Sequence, residues 1–310
     1  MMTDEVGKSP SSGRVAIKSP MLRRVLKRMR AEFAQLDSYP CLDAADISDF
    51  NYYRELYEDA LQAIDQRISQ GELEPVDLKG FPQILNFPRY EIKVALFIGS
   101  FDPFQMTHLA MALRYLASGS ATAPLVFIVP EGHYNPDKPR RSDYHYRYDI
   151  LCKQIRGIFQ PLIHPLDLGE GADTIEIVRR FIARFPDARI SLTHLIGSDT
   201  LDTAVRLLPE DLAIWGREAR SSGVDFTYDM FAIRRDYSAS LEEAVVRAAA
   251  LGVKVHSDDF VIGLPSSTDF RRNRMFSIVF PTKSVMRHME VLFRYDLNRP
   301  WSPCSGDESR

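Results

Sequence analysis

The sequence predicts an α/β fold, a doubly wound parallel sheet covered by helices on both faces, with a helical extension at the N-terminal side. Three observations lead there. Short apolar runs recur at 94–98, 124–129 and 190–196, each β-rich enough for a strand buried on both faces. Each run gives way to a turn signal and then to apolar residues at helical spacing. Strands alternating with helices call for crossover connections, hence parallel pairing, and place a ligand at the carboxyl ends of the strands.

The chain has 310 residues and a net charge of −3, which argues against bulk binding to nucleic acid. It shows no apolar run of about 20 residues that would span a bilayer and no secretory leader. Cys41, Cys152 and Cys304 are odd in number and widely spaced, as expected of reduced structural thiols in a cytoplasmic protein. Residues 1–20 are rich in Ser, Pro, Gly and Lys and read as a disordered tail.

A first helix is expected from Met21, with Leu22, Val25, Leu26, Met29 and Phe33 on one face. Seven basic residues and no acidic ones lie between Arg14 and Arg30. They suit either an anionic partner or a solvated face whose apolar stripe docks on the main domain, and the stripe favours docking. A second helix is expected over 48–68, from Leu56, Ala60, Ile64 and Ile68, with Gly71 as its stop. Pro75, Gly80, Pro82 and Pro88 mark a linker. The domains are therefore a 21–90 extension with linker, a 91–300 main domain and a flexible tail over 301–310.

In the main domain the first strand breaks at Gly99, turns at Asp102-Pro103 and enters a helix with Leu109, Ala112, Leu113 and Leu116 on one stripe. After the second strand come a loop over 130–139 and a helix over 143–158. A helix over 174–185 precedes the strand at 190–196, which ends in Gly197-Ser198-Asp199. Leu212 to Trp215 reads as the next strand, ending at Arg217. An excursion and a helix over 241–250 fill 218–252, and a last short strand is expected at 253–256.

Strand, glycine turn and helix aim free backbone N–H groups at an anion, and His108 lies in the first turn of that helix. A lone histidine there is ordinarily a surface or core residue, but an imidazole so placed can donate to phosphate oxygens. The run Gly99-Ser-Phe-Asp-Pro-Phe-Gln-Met-Thr-His108 resembles the first signature of the nucleotidyltransferases named for their (His/Thr)-x-Gly-His motif. Pro265-Ser-Ser-Thr-Asp-Phe-Arg271 resembles their second, Ile-Ser-Ser-Thr-x-x-Arg. Gly197-Ser-Asp199 and Asn135-Pro-Asp-Lys-Pro139 look like the Gly-(Ala/Ser)-Asp and Pro-His-Lys segments of the nicotinate/nicotinamide mononucleotide adenylyltransferases. The resemblance covers about residues 93–296 and implies a Rossmann-like sheet.

That resemblance implies His108, Arg271 and Gln105 as catalytic residues. It implies Gly99, Ser100, Phe101, His108, Lys138, Gly197, Asp199, Ser266, Ser267, Thr268 and Arg271 around ATP, and Thr174, Trp215 and Arg217 around the mononucleotide. Mg²⁺ would be held mainly through phosphates, without a protein metal site. The implied reaction joins ATP and a pyridine mononucleotide into a dinucleotide in NAD biosynthesis. The partners are small-molecule substrates, with a homo-oligomer compatible. Gln105 stands where the family has His or Thr, and Thr107 where Gly is common. Bland readings stay open: Asp199, Thr174 and the Ser266 segment could be plain helix caps, Lys138 solvated, Arg147 or Arg217 a surface ion pair and Trp215 core. So do an enzyme with another nucleotide or acceptor, such as a cytidylyltransferase, and a catalytically weakened regulatory protein.

Overall fold

Three of the helix starts are set by carboxylates that the sequence supplies. The computed structural model describes residues 17–39, 42–75, 91–133, 142–234, 241–261 and 279–286. Its elements are α1 (Pro20–Phe33), α2 (Ala44–Ser69), β1 (Glu91–Gly99), α3 (Met106–Ala117), β2 (Val126–Pro130), α4 (Tyr144–Ile155) and β3 (Ile163–Pro165). They continue with α5 (Thr174–Ala183), β4 (Arg189–Gly197), α6 (Ser198–Ser221), β5 (Asp225–Arg234), α7 (Glu242–Ala250) and β6 (Val255–Val261). Asp43, Asp143 and Asp173 cap α2, α4 and α5, each accepting backbone N–H groups that the helix cannot pair internally.

The six strands form one parallel sheet in the order β3-β2-β1-β4-β5-β6. β1 is central, with Phe97 opposite Ile128 on one side and Leu195 on the other. Its continuous apolar run is explained by burial on both faces. Ala95 and Phe97 point into a core shared with α1, α2, α3 and α4, whereas Val94, Leu96 and Ile98 point into a core under α5, α6 and α7. The chain reverses direction across the sheet between β1 and β4, which makes their carboxyl ends the topological switch point.

α1 buries Leu22, Val25, Met29 and Phe33, the stripe its spacing predicts, against the core that also holds α2, and α2 in turn packs on α3. The basic face is left outward, except that Arg30 makes a two-bond pair with the buried Glu58 at 2.8 Å each. Cys152 is a buried free thiol whose pKa is pushed up by burial. Of the disordered tail expected over 1–20, residues 17–20 are ordered: Ile17 is buried, the Lys18 and Ser19 N–H groups donate to Asp65, and Pro20 opens α1. Residues 1–16, Cys41, Cys304 and the tail expected at 301–310 lie outside the described residues.

One expected strand is replaced by helix. Leu212, Ala213, Ile214 and Trp215 lie inside α6, and the fifth strand is instead Asp225–Arg234, within the span expected to be an excursion. A four-residue apolar run cannot be told from a buried helical segment by its periodicity. Leu201, Val205, Leu208, Trp215 and Ala219 are the buried apolar positions of α6 and recur at helical intervals around the internal Pro209. β5 was hidden by the polar residues Asp225, Thr227 and Asp229, which alternate along its first half.

Candidate active site at the switch point

The turn from β1 into α3 is folded back on itself. Phe101 takes φ +42°, a left-handed conformation uncommon for a residue with a side chain. Its ring packs edge-on against Phe97 (5.2 Å between centroids) and Phe104 (5.4 Å). A Cβ on Gly99 would stand 3.2 Å from that ring, closer than ordinary contact, so a side chain there would push the ring by a few tenths of an ångström.

His108 completes the cluster, with ring centroids 5.7 Å from Phe97, 5.0 Å from Phe101 and 5.5 Å from Phe104. The Gln105 backbone N–H donates to His108 Nδ1 at 3.0 Å, and the Gln105 side chain accepts the His108 backbone N–H, a reciprocal cap at the helix start. A neutral ring held this way carries its proton on Nε2. Gln105 is buried, and its Oε1 accepts the Thr107 hydroxyl at 3.2 Å. The structure thus gives both departures from the motif a shared local job, closing the first turn of α3.

A second set of bonds fixes the loops around this turn. The buried Arg147 donates to the carbonyls of Ser100, Glu131 (2.6 Å) and Ser142 (2.9 Å), tying together the segments after β1, after β2 and before α4. It is therefore no surface ion pair. Asp102 accepts the Ser142 N–H at 2.9 Å. The loops after β2 and β3 touch at glycines: a Cβ on Gly169 would lie 1.7 Å from the Pro130 carbonyl oxygen. Thr174, first in α5, donates its hydroxyl to Glu131 at 2.7 Å, placing it at the same edge one strand away.

Across the switch point β4 runs into α6 without a loop. Gly197 is the N-cap, Ser198 the first helical residue, and Asp199 lies in the first turn, exposed. Its carboxylate sits at a helix N-terminus, at the carboxyl edge of the sheet. Gly99, Ser100, Phe101, Gln105, His108, Gly197, Asp199 and Thr174 are therefore brought to one edge of the sheet. Lys138, Ser266, Ser267, Thr268 and Arg271 lie outside the described residues.

Trp215 and Arg217 lie within α6 and not at the end of a strand. Trp215 is buried, donates its indole N–H to the Ile175 carbonyl at 3.0 Å and packs 4.9 Å from the Tyr228 ring. Both follow Ser198 along α6 by some 17–19 residues, roughly 25–29 Å at 1.5 Å per residue. Expecting them at the mononucleotide depended on the strand that turned out to be helix. Two residues that the sequence did not single out, Tyr57 and Gln154, reach the site turn from below: Tyr57 donates to the Met106 carbonyl at 2.7 Å and Gln154 to that of Phe104 at 2.9 Å.

Comparison with known proteins fits the motif reading. No family model matches the chain. A probable nicotinate-nucleotide adenylyltransferase of Maridesulfovibrio salexigens is 29% identical over 115 residues, 36% of this chain and 51% of that protein. One of Gemmatimonas aurantiaca is 28% identical over 120 residues, 37% of this chain and 54% of that protein. The chain spans about half the length of the curated relatives it matches. Among solved structures, the Plasmodium falciparum nicotinic acid mononucleotide adenylyltransferase complexed with APC is 14% identical, with a TM-score of 0.47, covering 66% of this chain and 99% of that one. The similarity to nicotinate-nucleotide adenylyltransferases inferred from the two motifs is thus met again in curated relatives of that name. Among the described residues no helix is long and apolar enough to cross a membrane.

Proposed function

We propose that the chain is an adenylyltransferase that joins ATP to nicotinate or nicotinamide mononucleotide, giving the dinucleotide and pyrophosphate, a step of NAD biosynthesis. The observation that carries the reading is His108, buttressed by three phenylalanine rings in the first turn of α3, at the carboxyl end of the central strand and beside the switch point. The names of the curated relatives support the same chemistry.

In this reaction a phosphate oxygen of the mononucleotide attacks the α-phosphorus of ATP. The bond from that phosphorus to the bridging oxygen of the β-phosphate breaks, and the electron pair leaves with pyrophosphate. No covalent protein intermediate is required, so the protein aligns the two phosphates and stabilises the charge that moves onto the leaving group. His108 Nε2–H, with Nδ1 committed to the backbone, donates to a phosphate oxygen near the reacting centre. The N-termini of α3 and α6 add oriented N–H groups. Asp199 accepts hydrogen bonds from ribose hydroxyls. Arg271, Lys138, Ser266, Ser267 and Thr268 are proposed to face the triphosphate, and Thr174 the mononucleotide.

Mg²⁺ enters with the triphosphate. Among the described residues no three His, Cys, Asp or Glu side chains cluster closely enough to hold an ion, and Asp199 is a single exposed carboxylate. That donor set fits a cation carried by phosphate oxygens and water, whose contribution is to neutralise charge on the leaving group. The test is incubation of purified protein with ATP, Mg²⁺ and each mononucleotide in turn, followed by chromatography. The expected result is dinucleotide with one or both acceptors, lost in His108→Ala. Dinucleotide absent with both acceptors while ATP binds would sink the reading.

A further inference from the structure

We propose that Tyr57 and Gln154 are positioning residues for His108, and that through them the N-terminal helices and the segment at 279–286 set the geometry of the site turn. The inference rests on the reading of His108 as the group that meets the phosphates. It goes beyond that reading by giving the N-terminal extension a part in the chemistry.

The geometry is a relay of buried contacts in two steps. Gln105 holds the imidazole through its own N–H to Nδ1. The residues on either side of Gln105 are each gripped from underneath by a side chain from another element. On one side the Phe104 carbonyl accepts from Gln154 Nε2 at 2.9 Å, and on the other the Met106 carbonyl accepts from the Tyr57 hydroxyl at 2.7 Å. Phe104 also supplies one of the three rings around the imidazole. A peptide pinned on both flanks cannot rotate its N–H away from Nδ1 without breaking one of these bonds. Phe104, Met106, Tyr57 and Gln154 are all essentially inaccessible, so water cannot replace the lost partner cheaply.

The two gripping residues are themselves linked to distant parts of the chain. Gln154 Oε1 accepts the Phe280 N–H at 2.8 Å, which orients the amide so that Nε2 faces Phe104. Phe280 sits in an aromatic cluster with Phe33 of α1 (5.4 Å), Phe159 (5.1 Å) and Tyr57 of α2 (6.3 Å). Arg67 of α2 holds the other end of α3, donating to the carbonyls of Leu116 (2.7 Å) and Ala121 (3.0 Å). α2 therefore fixes the helix of His108 at both ends. Burial raises the Tyr57 pKa well above the usual phenol value, so the hydroxyl remains a donor across the working range.

The test reads the ring itself as well as turnover. Protein labelled with ¹⁵N at histidine reports the His108 tautomer, assigned by comparison with His108→Gln. Wild type is expected to show Nδ1 as acceptor and Nε2 protonated. Tyr57→Phe, which removes one oxygen, and Gln154→Met are each expected to move the nitrogen shifts toward averaging between tautomers. Both should lower kcat by about fivefold to tenfold, with the KM for ATP changed by less than about twofold, the size of one buried hydrogen bond. Val178→Ala, which opens a cavity on the opposite face of the sheet, is the control for lost stability and is expected to leave the His108 signals alone. Wild-type nitrogen shifts in both Tyr57→Phe and Gln154→Met would overturn the proposal, as would an equal disturbance by Val178→Ala. If no dinucleotide forms at all, the adenylyltransferase reading fails while the nitrogen spectra still decide this one.

Discussion

The two turns that flank the switch point are built in opposite ways. After β1 the chain spends the residues from Ser100 to Gln105 on a loop with a left-handed phenylalanine, a self-capped helix start and carbonyls gripped by Tyr57, Arg147 and Gln154. After β4 it spends none: Gly197 is at once strand end and helix cap, and Asp199 stands exposed. The first turn holds one side chain in a fixed orientation. The second brings a helix N-terminus and an exposed carboxylate to the edge of the sheet. The difference separates a site half that should govern turnover from one that should govern affinity.

The largest effect is expected at the rigid turn. His108→Ala should lower kcat by about 10²–10³-fold, the usual loss of one positioned donor to developing charge, with much less change in the KM for ATP. A drop in ATP affinity with kcat intact would erase the proposed division between the turns. Arg147→Met should come next. It leaves three loop carbonyls without their donor in a buried place, and should destabilise the fold by about 3 kcal/mol in a denaturant titration. A loss below about 1 kcal/mol would show that the loops hold themselves.

This contrast also marks how far the sequence could be read. The sheet and the β1–α3 turn were legible because their signals are local: an apolar run, a glycine, His108 and a helical stripe all lie between Val94 and Leu116. The hold on that turn was not. Tyr57 lies 49 residues from Met106, and Gln154 lies 50 from Phe104, so nothing in the local pattern connects them. Tyr57 reads as one more aromatic on a helix face, and Arg147 looks as much like a solvated cation as a buried one. The strand expected at Leu212–Trp215 was misassigned for a different reason. Leu-Ala-Ile-Trp has the composition of either a buried strand or a buried helical turn.

The helix behind the open turn carries a buried carboxyl group. Asp211 of α6 is buried, with Oδ1 unpaired among the described residues, and burial together with Asp173 and Glu210 pushes its pKa up to about 6. Its ionised form is disfavoured in the fold, so it removes stability as pH rises from about 4 to 6. His194, buried on the facing strand against the Tyr228 hydroxyl at 2.9 Å, has its pKa lowered to about 4 by burial. It must stay neutral to fold, so it adds stability as pH rises from about 4 to 6.5. Each is worth on the order of 2 kcal/mol, and the two slopes oppose each other. Wild type should therefore be nearly flat in this window where these groups are concerned. Asp211→Asn should expose the histidine slope, becoming more stable than wild type by about 2 kcal/mol at pH 7.5 and by almost nothing at pH 4. Unfolding midpoints at the two pH values decide it; an equal offset at both would remove Asp211 as a titrating group.

The smallest effect is expected at Asp199, and it decides whether the open turn binds a ligand or merely ends a strand. If the carboxylate serves only the helix N-terminus, Asp199→Asn should cost about 0.3–1 kcal/mol of stability and leave ATP binding alone, because an exposed charge near a helix start contributes no more than that. If it accepts two ribose hydroxyls, the asparagine keeps one acceptor and loses the charge. The KM for ATP should then rise about tenfold while kcat stays within about twofold of wild type. A nucleotide lacking ribose hydroxyls sharpens the case: it should bind wild type and Asp199→Asn equally weakly, since the missing partner is then on the ligand. Unequal binding of that analogue would mean that the carboxylate acts through its charge, and the open turn would have to be counted with the rigid one as a part of the electrostatic machinery.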